Sequence, residues 1–498
     1  MKERHTFFNC HTHIFTINHV PKYVGKKMLP SIILAVIFNV GFINWIYTKL
    51  NSRKEVFLQD FKYSILPSLK KRWNHFVDYL KLILIFYWLY LIILGVLKVL
   101  VQIIKLILKI IISPFFGKRS KEGLKRYLGI ARHATYSSQR KIFEVLRKAY
   151  PDNFSFIVLA MDMEFMDAGD SKEDYYTQLD ELIDLKEAFP SKLHTFVATD
   201  PRRLQFSKNI EIDFEQYIKE HFLNLNFSGI KLYPALGYYP FDKRFKGIYQ
   251  FCIDNQIPIM THCIEGTIYY RGSKTREKEI YTNVGKTSLN NKKEWSQHPI
   301  LKINQETIPL NLPQKQNHDF SKNFGHPLNY KCLLDKEKAS EYFGEEVDFT
   351  KLKICLAHFG GSDEWDKYFE DTYETYNNNL FKDENIGKAT TYSNSKKIWN
   401  SASWLSIIYD LMVEYENVYA DISFMLYNEK NFNLLKLLID DEKVGHKILF
   451  GTDFYVVAQK STEKRLYHTI KAALGEERFK KVAISNAKTY LSSKLQTI

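Results

Sequence analysis

Asn9-Cys10-His11-Thr12-His13 follows the aromatic pair Phe7-Phe8, and its reading decides how the rest of the chain is understood. On an extended strand successive side chains alternate faces, so His11 and His13 are expected to point one way and Cys10 and Thr12 the other. Two imidazoles leaving one strand end can share a divalent cation, and a closed barrel would centre that cation in its mouth. With 15 histidines in 498 residues a His-x-His pair also arises by chance, and a polar turn is the plain alternative. Residues further along the chain have to decide.

Composition narrows the classes. Apolar residues make up 45% and aromatics 15%, enough for a substantial core and against global disorder. The length suits one large domain with insertions, or two or three ordinary domains. A net charge of +14 ordinarily points to nucleic acid or an anionic surface, but its location matters more than its size. Residues 21–125 carry 18 Lys and Arg against 4 Asp and Glu, which leaves 52 of each sign elsewhere. The basicity belongs to one segment, so nucleic acid is not the expected partner of the whole. Five scattered cysteines without a C-x-x-C pair argue against a disulfide framework or a thiolate zinc site and fit a reducing compartment. The first 20 residues show no apolar signal-peptide core, and a cytoplasmic protein is expected.

The basic segment has its own pattern. Ser31 to Thr48 is an uncharged, mostly apolar run, and Leu82 to Leu97 is apolar throughout. The second run continues to Ile112 with Lys98, Gln102, Lys105 and Lys109, spaced to stack on one helical face. The clean runs, 18 and 16 residues long, are at or below spanning length, and basic residues flank both ends of each. A basic amphipathic insertion lying on an anionic membrane surface through 31–48 and 82–112 is therefore expected, peripheral on the inner face. A helical lid, a homodimer contact and a spanning hairpin are the alternatives.

From residue 126 helical and strand patterns alternate. Helices are expected at Gln139–Tyr150, Tyr175–Phe189, Phe214–Leu223, Phe245–Asn255 and Trp404–Tyr415. Between them stand short apolar strands at 155–161, 194–198, 229–233, 257–261, 352–357, 417–422 and 447–451, with a long polar stretch, 264–350, read as a loop. With the strand carrying His11 and His13 there are eight, each joined through helices. That is the pattern of a (β/α)8 TIM barrel, formed by 1–20 and 126–498, with 21–125 inserted between the first and second strands. A Rossmann-type sheet is the runner-up, but no G-x-G-x-x-G follows the first strand.

The strand ends carry the chemistry of such a barrel. His11 and His13 end the first strand, His262 the fifth, His358 the sixth and Asp453 the eighth. Singly, each has a bland reading: His358 before Gly360-Gly361 suits a turn, and Asp453 suits a helix cap. Jointly, five such residues at strand ends predict a metal site at one mouth.

The ordered motifs His11-Thr12-His13, Gly229-Ile230-Lys231-Leu232-Tyr233-Pro234, Pro258-Ile259-Met260-Thr261-His262, Leu356-Ala357-His358-Phe359-Gly360-Gly361 and Leu449-Phe450-Gly451-Thr452-Asp453 resemble the amidohydrolase superfamily. The nearer resemblance is to its mononuclear amidohydrolase-2 branch, related to aminocarboxymuconate-semialdehyde decarboxylase. It leaves 21–125 unexplained. The resemblance implies His11, His13, His262 and Asp453 as ligands of one divalent metal, with His358 beside it as a catalytic residue. A donor set of nitrogen and carboxylate without thiolate suits Zn2+, with Mn2+ or Fe2+ as alternatives. Such a metal lowers the pKa of its bound water to about 7. Asp453 then serves to move the proton and His358 to polarise a substrate carbonyl or hydrogen-bond the nucleophile. In other branches a fourth-strand lysine is carboxylated and bridges two metals, which makes Lys231 a candidate for that role.

Substrate signals are fewer. Arg202 and Arg203, after the third strand, are candidates to clamp a carboxylate, with Tyr233 and Arg271 behind them. His298, His318 and His326 read as polar groups of the long stretch. The resulting expectation is a metal-dependent hydrolase acting on a small molecule, with a carboxylated one as the candidate. A decarboxylase on the same site is the first rival. A TatD-like nuclease is disfavoured by Lys231, where that family has glutamate, and a catalytically inactive membrane scaffold by the intact ligand set.

Overall fold

The computed structural model describes residues 5–24, 84–99 in part, 136–205, 213–272, 300–309 in part, 317–370, 402–454 and 462–496, a few single positions excepted. Eight parallel strands follow one another around a ring in chain order: β1 (Phe7–Thr12), β2 (Phe154–Leu159), β3 (Leu193–Ala198), β4 (Gly229–Leu232), β5 (Pro258–Ile264), β6 (Lys353–Gly360), β7 (Val418–Asp421) and β8 (Ile448–Leu449). Nearly every strand residue is buried, because helices cover the outer face and side chains fill the lumen. The ring closes just beyond β8, where Cys10 N donates to Phe450 O (2.7 Å) and Asp453 N to His11 O (2.9 Å). The molecule is a (β/α)8 barrel.

The strand period separates two packed layers. Phe8, Cys10, Ile157, Leu159, Phe196, Met260, Cys355, Tyr419 and Leu449 meet inside the barrel, and Ala487, Tyr490 and Leu491 of the last helix join them. Residues of the other parity, such as Val158, Ile230, Leu232, Ile259 and Leu356, belong to the larger cluster shared with the helices. This corrects one expectation. Cys10 does not turn away from the lumen; it packs inside it, and the β1–β2 register shifts between Asn9 and Thr12. That irregularity lets Cys10 and the histidines after it all face inward.

The helices begin where side chains can cap them. Ser138 caps Gln139–Arg147, Asp174 caps Tyr175–Ala188 and Asp213 caps Phe214–Leu223, each accepting from a backbone N–H of the first turn. The stretch 264–350 is more than a loop: it holds helices Asn317–Gly325, Leu328–Leu334 and Lys336–Phe343 and a small antiparallel hairpin. These helices are too short to show a clear period in sequence, yet Phe320, Phe324, Leu328 and Tyr330 are buried.

By compactness the chain divides into Met1–Val24 with Lys125–Ile498, which is the barrel, and Gly25–Leu124. The run 31–48 lies outside the described residues, and of 82–112 only positions within 84–99 are described, as helix. Among the described residues no helix is long and apolar enough to cross a membrane.

Candidate metal centre

At the C-terminal mouth of the barrel, ligand atoms of His11, His13 and Asp453 lie within 4.8 Å of one another, all three residues buried. The backbone is bent to bring them there. Asp453 (φ 54°) and His358 (φ 66°) both occupy the left-handed region, which non-glycine residues adopt at a cost that surrounding structure must hold. For Asp453 the hold is its N–H bond to His11 O, and for His358 it is an N–H bond to Asp421 Oδ1 (3.1 Å).

The hydrogen bonds around the imidazoles fix which nitrogen of each carries a proton. His13 Nδ1–H donates to Leu159 O (3.0 Å), and His11 Nδ1–H donates to Asp421 Oδ2 (2.8 Å). Ser423 donates its hydroxyl proton to Asp421 Oδ1, so its oxygen can only accept from His358 Nδ1–H (2.9 Å). His358 Nε2 is then an acceptor and takes the Nδ1–H of His262 (3.1 Å). All three candidate ligand histidines therefore present an unprotonated Nε2. In His11 and His262 that atom is buried without a hydrogen-bond partner. Burial, then the charge of Lys231, holds the His11 pKa well below the usual imidazole value. Burial does the same for His13, His262 and His358, with neighbouring histidines and Lys231 adding to it.

His11, His358 and Asp421 also approach one another closely. That grouping is a poorer cation site, because Asp421 is taken by four donors and both nitrogens of His358 are engaged. It is instead the carboxylate–histidine support that orients a ligand imidazole. Asp421 and Ser423 were absent from the sequence reading, although Asp421 ends β7 and the same strand-end rule points to it.

Other expected residues fall into place around this core. His262 is outside the tight triad of donors, its ring stacked on Tyr233 at 4.0 Å and 4.8 Å from His358. Arg202 and Arg203 do not stand as waiting clamps. Arg202 forms a two-pronged ion pair with Asp200 (2.6 and 2.8 Å), and Arg203 pairs with Asp162 (2.7 Å) and Glu164 (2.7 Å), all largely buried. Asp200 stands two residues before Arg202, but Asp162 and Glu164 come from the segment after β2, which sequence spacing alone does not connect to Arg203. Arg271 lies on the Tyr269 ring, 3.8 Å from its centroid. His326 accepts from Leu328 N, a structural role; His298 lies outside the described residues. Lys231 is wholly buried, and its Nζ has no hydrogen-bond partner.

The donor set fits a divalent metal: orphaned Nε2 lone pairs, a neighbouring carboxylate, no thiolate within the group and a carboxylate behind one imidazole. His11, His13 and Asp453 would hold it, with His262 the further candidate. Cys10 and Cys263 are not part of the centre; burial raises both thiols.

No family model matches the chain, and no curated protein matches it. Among solved structures it is similar to 5-carboxyvanillate decarboxylase from Novosphingobium aromaticivorans with bound manganese, at 14% identity and TM-score 0.42 over 78% of this chain and 93% of that one. It is also similar to an amidohydrolase II (13%, TM-score 0.39, 74% and 96% covered). A third is 2,6-dihydroxybenzoate decarboxylase from Rhizobium (12%, TM-score 0.37, 70% and 87% covered). They are proteins of the kind the ordered motifs resemble. Likenesses at this level carry no argument, and the chemistry rests on the side chains.

Proposed function

We propose that this chain is a metal-dependent enzyme of the amidohydrolase type that hydrolyses a small carboxylated molecule. The observation supporting it is the hydrogen-bond network Asp421–Ser423–His358–His262, with His11 also held by Asp421, which leaves the Nε2 lone pairs of His11 and His262 buried without a partner. A divalent cation held there supplies Lewis acidity and makes water a stronger acid. Asp453, at the rim, accepts a proton from the attacking water and returns it to the leaving group. His358 keeps His262 in one tautomer and stands beside the reacting carbonyl as a neutral imidazole. Tyr233, stacked on His262, covers one face of that imidazole.

Decarboxylation is the second reading, favoured by the ammonium of Lys231 buried beside the same centre, which suits a substrate carboxylate. Screening amides, lactones, esters and aromatic carboxylates against protein loaded with Zn2+, Mn2+ or Fe2+ tests both. Incorporation of heavy oxygen from labelled water supports hydrolysis; CO2 release without it supports the lyase. Activity that survives His358→Ala unchanged contradicts the assignment of that residue.

A further inference from the structure

Most large apolar side chains among the described residues are covered, and those that are not gather in one place. Of seventeen that stand exposed, nine lie between Leu84 and Val99, each 47–64% exposed. Scattered singly, exposed apolar residues are ordinary; gathered on one element, they mark a surface that a partner covers. The element is the helix described within 84–99, part of the compact unit Gly25–Leu124. At about 100° per residue, Leu84, Trp88, Ile92, Ile85, Leu89 and Phe86 follow one another around an arc of about 200°, and the other three exposed residues fall inside it. Tyr87, Tyr90 and Leu91 take the opposite side and are partly covered. None of the described positions of this helix holds a charged residue, whereas a helix facing water carries them on such an arc.

The breadth of the arc and the charge of its segment decide the partner. A helix docking on one other helix needs a stripe of roughly 100°, because the seam between two cylinders is narrow. Half a circumference is what a flat boundary covers, and a bilayer surface is flat on the scale of a helix. The segment 21–125 carries 18 Lys and Arg against 4 Asp and Glu, while the rest of the chain is balanced, so the excess positive charge shares a segment with the apolar arc. That combination is complementary to acyl chains beneath anionic headgroups. Trp88 stands toward one flank of the arc, where an indole meets the headgroup level. We infer that this helix lies in the boundary of an anionic phospholipid bilayer, with the arc centred on Ile85 and Ile92 among the acyl chains. Headgroup charge supplies the attraction and apolar burial the retention.

The metal centre plays no part in this inference, so lipid binding and metal binding succeed or fail separately. The test is co-sedimentation of full-length protein with vesicles of phosphatidylcholine alone and of an equal mixture of phosphatidylcholine and phosphatidylserine. Binding to the mixed vesicles should be at least about 10-fold stronger than to phosphatidylcholine at low salt, with the difference shrinking at high salt. Ile85→Glu with Ile92→Glu places two charges at the centre of the arc and should weaken binding to mixed vesicles at least about 10-fold. Both side chains are more than half exposed, so without lipid the double variant should melt no lower than wild type. Leu437→Glu, at the barrel's most exposed large apolar side chain (68%), should leave vesicle binding unchanged.

A second readout does not depend on the double variant. Vesicles with brominated acyl chains should quench part of the tryptophan fluorescence of the bound protein, and Trp88→Phe should remove part of that quenching while leaving co-sedimentation in place. Failure of the wild type to bind mixed vesicles overturns the inference, as does binding that the double substitution leaves intact or quenching unchanged by Trp88→Phe. A stable dimer that the double substitution dissociates, with no vesicle binding by the wild type, also overturns it and gives the arc to a second copy of the chain.

Discussion

Asp421 governs the centre without entering the donor triad. Its Oδ2 takes the proton of His11 Nδ1, and its Oδ1 takes the Ser423 hydroxyl proton that sets the His358 tautomer. Asp421→Asn would replace an acceptor by a donor amide and frustrate one of these bonds. Metal affinity is expected to fall about 10- to 100-fold, read by competition with a chelator. Ser423→Ala should weaken it less, because the His11 bond survives. Unchanged affinity in both variants would show that the hydrogen-bond chain does not control the ligands. At this scale the sequence disclosed the histidines through their strand ends, but the tautomers depend on distances between residues more than 60 positions apart. The pairing of Arg203 with Asp162 and Glu164 was hidden because it joins the ends of different strands, whereas Asp200, two residues before Arg202, was in view as its partner.

Among elements, the seam between β1 and the residues after β8 carries the most function per contact. A Cβ on Gly451 would stand 2.6 Å from His11 Cβ and 3.1 Å from His11 N. Gly451→Ala is therefore expected to push the two apart, costing about 1–3 kcal/mol of stability together with metal affinity. Denaturant melts with and without metal check this; a variant as stable and as metal-competent as wild type contradicts the close approach. Behind the seam, Asn9 Nδ2 reaches Tyr150 and Thr452 (both 2.9 Å), and Thr452 donates to Glu463 (2.6 Å). The strands and capped helices were legible because apolar runs and capping side chains are local signals. The seam was not, since nothing near Gly451 in sequence mentions residue 11. The three helices within 317–343 escaped because each is too short to declare a period.

For the whole molecule, burial of uncharged histidines sets the response to acid. His194, inside the barrel against Phe8, has its pKa held down to about 3, chiefly by burial and then by Lys186. Its unfolded value is about 6.5, so the unfolded chain binds the extra proton between the two. Stability from this residue is complete above pH ~6.5 and is lost as pH falls toward 3, by the linkage of proton binding to folding. Thermal melts of chelator-treated protein across that range should show it, with a shallower decline in His194→Phe; identical slopes would assign the acid sensitivity elsewhere. The eightfold architecture itself was readable from the chain, because each βα unit repeats one pattern. The role of 21–125 was not, since an apolar run reads alike whether lipid or protein covers it.

Side chains from β1 and from the residues after β8 are placed to share one cation. Chelator-stripped protein titrated with Zn2+ or Mn2+ and assayed by elemental analysis tests it most directly, beside His11→Ala and Asp453→Asn. Wild type is expected to hold one tight equivalent and each variant to bind at least about 10-fold more weakly. Wild-type protein that retains no metal, or variants that retain it equally well, would contradict it.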